Sequence, residues 1–441
     1  MHDVVELLRW MVRIDTQNPP PDGQWRETAM NAALGNALAH EGIQARVIES
    51  APGRGQLVAR LKGNGSRPPL LLSTHIDVVG ADARQWRHPP FSGHSDGEFI
   101  HGRGTLDNKA MAAALVHVFH RLAREKATRS RDLILCLVGD EESGGAQGMR
   151  FLLEKHWGEI DSQVALAEGD PPLLNGGGQV DYIPIQCAEK KSYTVRLRCR
   201  GTAGHASTPL ADNPVVALAR AVAPLHPFST RVHTTDLARE YLRRMARFEP
   251  QDLARHLTDV ANLGEAAHPD ALDAVTRANP VYNALLRATV CPTILKAGTR
   301  SNVIPVEAEC VINCRLLPDQ QIESLIAELG ELTGCDPGSF SADPPSPYDG
   351  PATPHDTPEF RALEEISTRL WPACATVPYM APAASDARYL RSRGVSVYGV
   401  FPFPATRKEF EAIHAPDERI RIASLRQGTQ WLYEVTTALS V

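Results

Sequence analysis

The sequence contains no long uninterrupted apolar run. No stretch approaches the roughly 18 uncharged apolar residues that a membrane span requires. The N-terminal segment places Asp3, Glu6, Arg9 and Arg13 among its apolar residues, so it lacks the continuous apolar core of a signal peptide. It is typical of an amphipathic helix stopped by Asn18-Pro19-Pro20. These absences predict a cytoplasmic protein without a membrane partner.

Cysteine pairs and basic charge are also scarce. The eight cysteines are scattered without a CxxC pair, which excludes a structural zinc ribbon and favours reduced thiols, as in the cytoplasm. The formal net charge is −6, so the basic surface that nucleic-acid binding needs is missing and we expect no nucleic-acid partner. The phosphate-loop spacing GxxxxGK followed by Ser or Thr is absent, which argues against a nucleotide-binding protein.

The sequence does have the composition of a globular protein, with 43% hydrophobic and 22% charged residues. A length of 441 residues favours two or three packed domains. From about Leu57 to Glu142, apolar strands such as PLLLST and LILCLVGD alternate with a long helix, LDNKAMAAALVHVFHRLAREK. This alternation predicts an α/β domain with a largely parallel sheet and with its chemistry at the carboxyl ends of the strands.

The pattern changes after about Cys187. SYTVRLRCRG and NVIPVEAECVINCRLLP alternate with the period of a half-exposed strand, and each leads into a helix. They predict an inserted α+β domain over 188–345, with a helical insertion at about 234–286. The catalytic domain then has two parts, 1–187 and 346–441. The stretch 338–358 is rich in Pro, Ser, Gly and Asp, which is typical of a linker.

Two motifs, one with a histidine and one with two glycines, lie within the predicted α/β domain. Ser73-Thr74-His75-Ile76-Asp77 follows PLLL, and residues two apart on an extended chain point to the same side. The carboxylate of Asp77 can therefore fix the tautomer of His75 and raise its basicity as a metal ligand. In the second motif, GRGTLDNK at 102–109, two glycines permit a tight turn before a helix, and the acidic Asp107 disfavours bound phosphate.

Acidic residues end two further apolar runs. Asp140-Glu141-Glu142 follows LILCLV and Glu168 ends VALAE. Adjacent carboxylates at the end of a buried strand repel one another unless cations compensate. The late motif His414-Ala-Pro-Asp-Glu adds a second histidine. One histidine and one carboxylate per metal, with a shared carboxylate, form a plausible ligand set for two zinc ions. Exposed acidic turns are the alternative for each motif alone.

The order of the motifs resembles that of the M20 family of metallopeptidases, which includes aminoacylases, carboxypeptidases and succinyl-diaminopimelate desuccinylases. HxD, GRGxxDxK, DEExGG, AxxEG and HAPDE occur in that order, and Gly204-His205-Ala206-Ser207 and Arg300–Pro305 match within the inserted segment. The resemblance implies a zinc-peptidase-like α/β catalytic domain with a mixed, largely parallel sheet. It also implies an inserted α+β lid that dimerises.

The resemblance implies two Zn²⁺ ions, and Co²⁺ and Mn²⁺ suit the same ligands. It assigns His75 and Glu168 to one ion, Glu142 and His414 to the other, and Asp107 to both. The peptide bond that follows Asp107 is expected to be cis.

By the same resemblance, Glu141 is the general base and Asp77 is the partner of His75. His205 belongs to the lid and stabilises the oxyanion in the other subunit of a homodimer. Asn302 and Arg315 match lid residues that hold the substrate, and a guanidinium suits forked binding of a carboxylate.

The sequence departs from the family's pattern at a loop that is usually near the substrate. Where relatives have Gly-x-Thr-Asp-x-Arg, this chain has Ala383-Ala384-Ser385-Asp386-Ala387-Arg388, so Arg388 is a further expected substrate contact and specificity is open. GRGTLDNK and INCRLLP look closer to the peptidase and N-acyl amino acid hydrolase branch. We therefore expect a short peptide or N-acyl amino acid as substrate. The alternatives are a desuccinylase-like deacylase and a catalytically inactive binding protein on the same fold.

Overall fold

A computed structural model describes residues 3–125 and 127–441. The strands are β1 Gln44–Ala51, β2 Arg54–Leu61, β3 Leu70–His75, β4 His94–Ser95, β5 Phe99–His101, β6 Leu133–Val138, β7 Val164–Glu168, β8 Tyr182–Glu189, β9 Lys191–Arg200, β10 Gly204–His205, β11 Thr289–Ala297, β12 Val303–Ile304, β13 Glu307–Leu316, β14 Phe340–Ala342, β15 Ala375–Ala381, β16 Ser396–Val400 and β17 Arg419–Arg421.

The α-helices come from throughout the chain. They are α1 Val4–Val12, α2 Glu27–His40, α3 Lys109–Glu125, α4 Met149–Lys155, α5 Trp157–Ile160, α6 Pro214–Val222, α7 Asp236–Met245, α8 Gln251–Leu263, α9 Pro269–Ala278, α10 Pro280–Leu285, α11 Ile322–Thr333, α12 Pro358–Leu370, α13 Ala387–Ser392, α14 Arg407–Phe410 and α15 Ile422–Ser440. The end predicted for α3, Lys126, lies outside the described residues.

The chain forms two compact units. The first takes in the chain up to Cys187, Thr353–Pro378 and Ser385–Val441, and the second takes in Ala188–Ala352 and Tyr379–Ala384. The chain leaves the first unit and returns to it at neighbouring points, because the amide of Thr353 donates a hydrogen bond to the carbonyl of Cys187 at 2.7 Å.

The first unit contains a mixed sheet of eight strands in the order β1-β2-β6-β3-β7-β16-β8-β15. The four central strands, β6, β3, β7 and β16, pair in parallel, whereas β1, β2 and β8 pair antiparallel. Every residue of β3 and of β6 is buried, as expected for parallel strands covered on both faces. The predicted α/β class and mixed sheet are therefore confirmed, with parallel pairing at the centre of the sheet.

Helix α3 begins at Lys109, the last residue of the GRGTLDNK motif, and packs against α15, α1 and the sheet. Its first two turns consist of small or apolar residues after Lys109, and they are buried on all sides. The alanines at 110 and 112–114 let the helix lie close to its neighbours and carry little side-chain entropy cost. Among the described residues, no helix combines the length and apolar character needed to cross a membrane.

The second unit contains an antiparallel sheet of four strands in the order β11-β13-β9-β14. Burial alternates along β13, and the buried face forms a core with residues of α6 and α11. The helices α7 to α10 lie within 236–285. The prediction of an unstructured linker over 338–358 is wrong for Phe340–Ala342, which pairs with β9. Phe340 is buried in the core of the second unit, and its burial favours the strand over a loop.

A buried polar pair joins α12 to α15 in the first unit. The indole Nε1 of Trp431 donates to Oγ of Ser367 at 3.0 Å, and both side chains are fully buried. Ser367→Ala leaves this N–H without its acceptor, so we expect the free energy of unfolding to fall by about 1–3 kcal/mol. Urea unfolding followed by tryptophan fluorescence tests this, because all six tryptophans lie in the first unit.

Ser324→Ala is the matched control for this prediction. Ser324 is exposed on α11 of the second unit, and surface substitutions usually change stability by less than about 0.5 kcal/mol. Equal unfolding midpoints for Ser367→Ala and the unsubstituted protein would contradict the assigned hydrogen bond.

Candidate active site

Three of the predicted motifs meet at one edge of the central sheet. His75 is the last residue of β3, Glu168 is the last residue of β7, and Glu141 follows the end of β6 by three residues. Both β6 and β7 pair in parallel with β3, so their carboxyl ends lie side by side, where open α/β sheets place their ligands. The apolar runs of the sequence therefore explain why these side chains come together.

The loop 102–107 brings Asp107 to the same edge. Gly104 has φ +85°, and a Cβ there would lie 2.7 Å from Val78 Cγ1, so the turn requires glycine on both grounds. The peptide bond between Asp107 and Asn108 is cis, as predicted.

Asp107 lies between the two histidines. Its Oδ1 is 3.0 Å from Nε2 of His75 and its Oδ2 is 2.9 Å from Nε2 of His414. His75 also lies 3.6 Å from Oε2 of Glu168, and His414 lies 3.4 Å from Oε2 of Glu142. The five predicted ligands thus converge, although they span most of the sequence.

Ligand atoms within this cluster lie close enough to share a cation. Those of His75, Asp107 and Glu142 all lie within 4.8 Å of one another, and so do those of His75, Glu141 and Glu168. Among the described residues, Oε1 of Glu142 is buried without a hydrogen-bond partner. A buried carboxylate oxygen without a donor is costly, and imidazole nitrogens with carboxylate oxygens suit zinc and related divalent ions. The donor set therefore fits metal binding.

Asp77 orients the imidazole ring of His75 within the cluster. Its carbonyl and carboxylate lie 3.0 and 3.5 Å from Nδ1 of His75, which directs Nε2 towards the cluster. The same carboxylate accepts hydrogen bonds from the backbone N–H groups of Glu141 and Glu142 and from the side chain of Asn18. Burial alone would raise the pKa of Asp77, but the interaction with His75, followed by the hydrogen bonds from Asn18 and Glu142, outweighs burial and lowers its pKa.

The clustered carboxylates shift one another's pKa. Burial, and then the charge of Glu168, raises the pKa of Glu141 well above its usual range. Burial also raises the pKa of Glu168 against the opposing effect of His75. Hydrogen bonds to Asp107 and Glu142 raise the pKa of His414 to about 10. The site therefore holds more negative charge than its two histidines neutralise, which favours added cations.

Buried residues that the sequence analysis gave no role hold these loops in place. Glu418 accepts hydrogen bonds from Nη1 of Arg103 at 2.6 Å and from the backbone N–H of Leu106 at 2.6 Å. Arg54 pairs with Asp140, the residue before Glu141, at 2.8 Å. The one sequence signal for Glu418 was its place in the HAPDE motif. Arg54 lies in an ordinary strand pattern and offered none.

Three residues of the loop that departs from the family's pattern line a small cavity beside His75, Glu141 and Glu168, namely Ser385, Asp386 and Ala387. Asp386 is partly buried, and desolvation with the nearby charges of Asp77 and Glu168 raises its pKa to about 8. Nη2 of Arg388 donates to the carbonyl of Gly144 at 3.0 Å, so this predicted substrate residue contacts the loop that carries the acidic residues. The sequence indicates no role for Asp386 beyond its place in the loop that departs from the family's pattern.

The remaining predicted residues lie in the second unit. His205 and Asn302 are neighbours, because the amide of Ala206 donates to the carbonyl of Asn302 at 3.1 Å. Arg315 lies near the carboxyl end of β13 and pairs with Ser192 of β9, with its Nε 3.3 Å from Oδ1 of Asn313. The second unit thus brings His205 and Asn302 together and holds Arg315 apart from them.

Several known proteins have similar sequences. The chain is 28% identical over 389 residues to a probable carboxypeptidase S-like 2 of Dictyostelium discoideum, covering 86% of this chain and 73% of that protein. It is 28% identical over 392 residues to the N-fatty-acyl-amino acid synthase/hydrolase PM20D1 of Mus musculus, covering 84% and 74%. It is also 26% identical over 456 residues to aminoacylase-1B of Rattus norvegicus, covering 100% and 96%.

Solved structures share the fold. An M20 family metallo-carboxypeptidase of Sulfolobus solfataricus aligns with a TM-score of 0.68 at 19% identity, covering 99% of this chain and 98% of that one. The YXEP protein of Bacillus subtilis, described as a dinuclear metal binding peptidase, aligns with a TM-score of 0.63 at 16% identity, covering 99% and 97%. The profile of peptidase family M20/M25/M40 matches residues 71–438, and the chain therefore belongs to this family of hydrolases.

Proposed function

We propose that this protein hydrolyses the amide bond of a short peptide or N-acyl amino acid, with two divalent metal ions and with Glu141 as the general base. The observation that supports this most is the position of Asp107, whose two carboxylate oxygens face different histidines at 3.0 and 2.9 Å. A carboxylate in that position can bridge two cations, which is the arrangement of two-metal hydrolases. Relatives named carboxypeptidase and aminoacylase are consistent with the amide substrate.

The proposed ligand sets are those that the family resemblance implies, and two interatomic distances support them. We assign one ion to His75, Glu168 and Asp107 and the other to His414, Glu142 and Asp107. Zinc suits these ligands, as do cobalt and manganese. Bound ions of this kind polarise a carbonyl and lower the pKa of water.

Glu141 supplies the proton transfer in this proposal. Its pKa is raised by burial and by Glu168, which makes it a stronger base than an exposed glutamate and moves it towards the operating pH. Glu141 takes a proton from the attacking water and returns it to the leaving nitrogen. The backbone of Glu141 is fixed by the carboxylate of Asp77, so base and ligands are positioned by the same group.

His205 has the hydrogen-bonding state that an oxyanion donor needs. The backbone N–H of Ser207 donates to Nδ1 of His205 at 3.2 Å. Because an N–H can only donate, Nδ1 of the neutral ring is an acceptor and the proton resides on Nε2. We propose that this N–H donates to the developing oxyanion of the substrate.

The distance between the lid residues favours a homodimer. His205 follows β9, whose last residue, Arg200, pairs with Glu307 at the start of β13, whereas Arg315 lies eight residues further along β13. At about 3.3 Å per residue, Arg315 lies about 26 Å along the strand from Glu307, the end at which β9 leads to His205, and a small substrate cannot span that length. We therefore propose that His205 and Asn302 serve one subunit's substrate while Arg315 serves the other's.

An exposed edge strand offers the surface for that dimer. Strand β11 is at the edge of its sheet, and it exposes Ile294 and Leu295 at 48% and 63%. Val303 and Val306 are exposed nearby in sequence. Unpaired backbone groups beside apolar side chains are a template for pairing with another chain.

Glu141→Gln should abolish proton transfer and preserve the metal ligands. We expect kcat to fall by about 10²- to 10⁴-fold, or more because the base also delivers the proton to the leaving group, with unchanged metal content. The measurement is turnover of N-acyl amino acids and dipeptides beside metal analysis. Glu154→Gln, at an exposed position of α4, is the matched control and should retain full turnover. Near-normal turnover of Glu141→Gln would remove its assigned role.

Removal of metal should lower stability and activity together. Ions that bind only the folded protein stabilise it by about 2.7 kcal/mol at a hundredfold excess over Kd, so chelation should lower the melting temperature and zinc should restore it.

In the chelated protein, hydrogen bonds to Asp107 and Glu142 raise the pKa of His414 to about 10, so at neutral pH metal must displace its proton. We therefore expect affinity to rise with pH, by about tenfold per unit for each proton displaced.

Calorimetry in buffers of different ionisation enthalpy measures those released protons. Asp107→Asn should lower the occupancy of both metals, whereas His94→Ala, outside the cluster, should retain them. A metal affinity that is independent of pH between 6 and 8 would contradict the proton displacement.

Complementation between subunits tests the role of His205. His205→Ala should lose about 2.7–4 kcal/mol of transition-state stabilisation with unchanged metal content. When this variant is mixed with Glu141→Gln, each mixed dimer carries one complete site if His205 acts in trans, so about a quarter of full activity should return. Mixing His205→Ala with a variant that carries both substitutions is the control and cannot complement. No recovery after verified subunit exchange would show that His205 does not act in trans.

A further inference from the structure

A cavity of about 200 Å³ adjoins the metal-ligand cluster within the first unit. The proposed metal ligands Asp107 and Glu168 line it. A substrate group bound in this cavity would therefore lie next to the reacting amide. Cavities that hold a whole drug-sized ligand measure about 300–1,000 Å³. The smaller volume suits one half of a small substrate.

The rest of the cavity is largely apolar. Its apolar walls are Leu106, Pro171, Phe401, Phe410 and Ile413. Leu106 and Phe401 are buried at 3% and 2% exposure, and Phe401 packs edge-on against Phe403 with ring centroids 4.7 Å apart. These walls are therefore set by the core and do not depend on a bound ligand.

Two of the apolar walls belong to the segment that carries a metal ligand. Phe410 is the last residue of α14, which begins with a capping box between Thr406 and Glu409. The amide of Ile413 donates to the carbonyl of Phe410 at 3.1 Å, and His414 follows directly. The turn that directs His414 to Asp107 thus also places Phe410 and Ile413 against the cavity.

The charges of the cavity are of one sign. Asp107, Glu168 and Asp170 contribute carboxylates, and its lining, which lies wholly within the described residues, includes no lysine, arginine or histidine. An acidic acyl group would lose its hydration against the apolar walls, and the lining offers it no basic side chain. A neutral apolar group avoids this penalty.

The position of the base decides which half of the substrate lies here. Glu141 returns a proton to the leaving nitrogen, so the amine half of the amide lies beside Glu141. Glu141 does not line the cavity. The half that faces the cavity is therefore the acyl half.

We propose that this cavity binds the acyl group of the substrate and selects a neutral, apolar acyl chain over an acidic one. The inference rests on the proposed amide hydrolysis with Glu141 as base. It favours aliphatic N-acyl amino acids, or peptides with an apolar residue on the acyl side, over N-succinyl substrates.

A series of N-acyl derivatives of one amino acid tests the selection. Between acetyl and butanoyl, kcat/KM should rise about fourfold for each buried methylene, and the rise should end when the cavity is full. Butanoyl and succinyl have the same number of carbons and differ in the terminal carboxylate, so they form the decisive pair. We expect butanoyl to exceed succinyl by about tenfold or more. Equal rates along the series, or a preference for succinyl, would overturn the proposal.

Substitution of Phe410 should change the selection in a predictable direction. Phe410→Ala enlarges the cavity and should move the optimum to longer chains, whereas Phe410→Arg supplies a basic partner and should raise succinyl relative to butanoyl. Phe151→Ala removes a partly buried phenylalanine of α4 that does not line the cavity, so it should leave the ratio of the two substrates unchanged. An unaltered ratio in Phe410→Arg would overturn the assignment of this wall.

Equilibrium binding separates this inference from the proposed function. The same acyl series can be titrated by calorimetry into metal-loaded Glu141→Gln, where Kd should follow the order found for kcat/KM. Absence of hydrolysis for every amide would overturn the proposed function, while an apolar preference in Kd would still support the cavity. Binding that does not distinguish butanoyl from succinyl would overturn the inference even if hydrolysis occurs.

Discussion

Repulsion between carboxylates at the carboxyl edge of one sheet is the constraint on which the active site depends. The acidic groups that share this edge are Asp77, Asp107, Glu141, Glu142, Glu168 and Asp386. Burial raises the pKa of Glu141, Glu168 and Asp386, because a charged carboxylate is poorly solvated there. The pKa of Asp77 is lowered instead, because His75 interacts with its carboxylate and Asn18 and the amide of Glu142 donate to it. Bound cations would therefore offset this negative charge as well as serve the proposed chemistry.

The elements that carry the ligands could be predicted because their signals are local. An apolar run followed by a polar residue marks the end of a buried strand, and His75 and Glu168 each occupy such an end. The glycines before Asp107 indicate a turn. Parallel pairing of β6 and β7 with β3 then brings the residues at these strand ends together in one cluster.

The residues that hold the loops of the site in place could not be predicted from the sequence in the same way. The hydrogen bond between Glu418 and Arg103 joins residues 315 apart, and neither side chain belongs to a periodic pattern. Asp140, His414 and Asp417 have positive φ values of 61° to 70° without being glycine, so their conformation depends on tertiary contacts. The linker prediction was wrong at β14 for a related reason, since burial of Phe340 outweighs the turn-forming composition around it.

The hydrogen bond between Thr353 and Cys187 has a consequence for the length of the 188–352 segment. It holds the residues that flank this segment together, so the segment leaves and rejoins the first unit as a closed loop. The entropy of closing a loop grows only with the logarithm of its length. Lengthening or shortening a segment such as α7–α10 therefore changes the entropy of closing that loop only slightly.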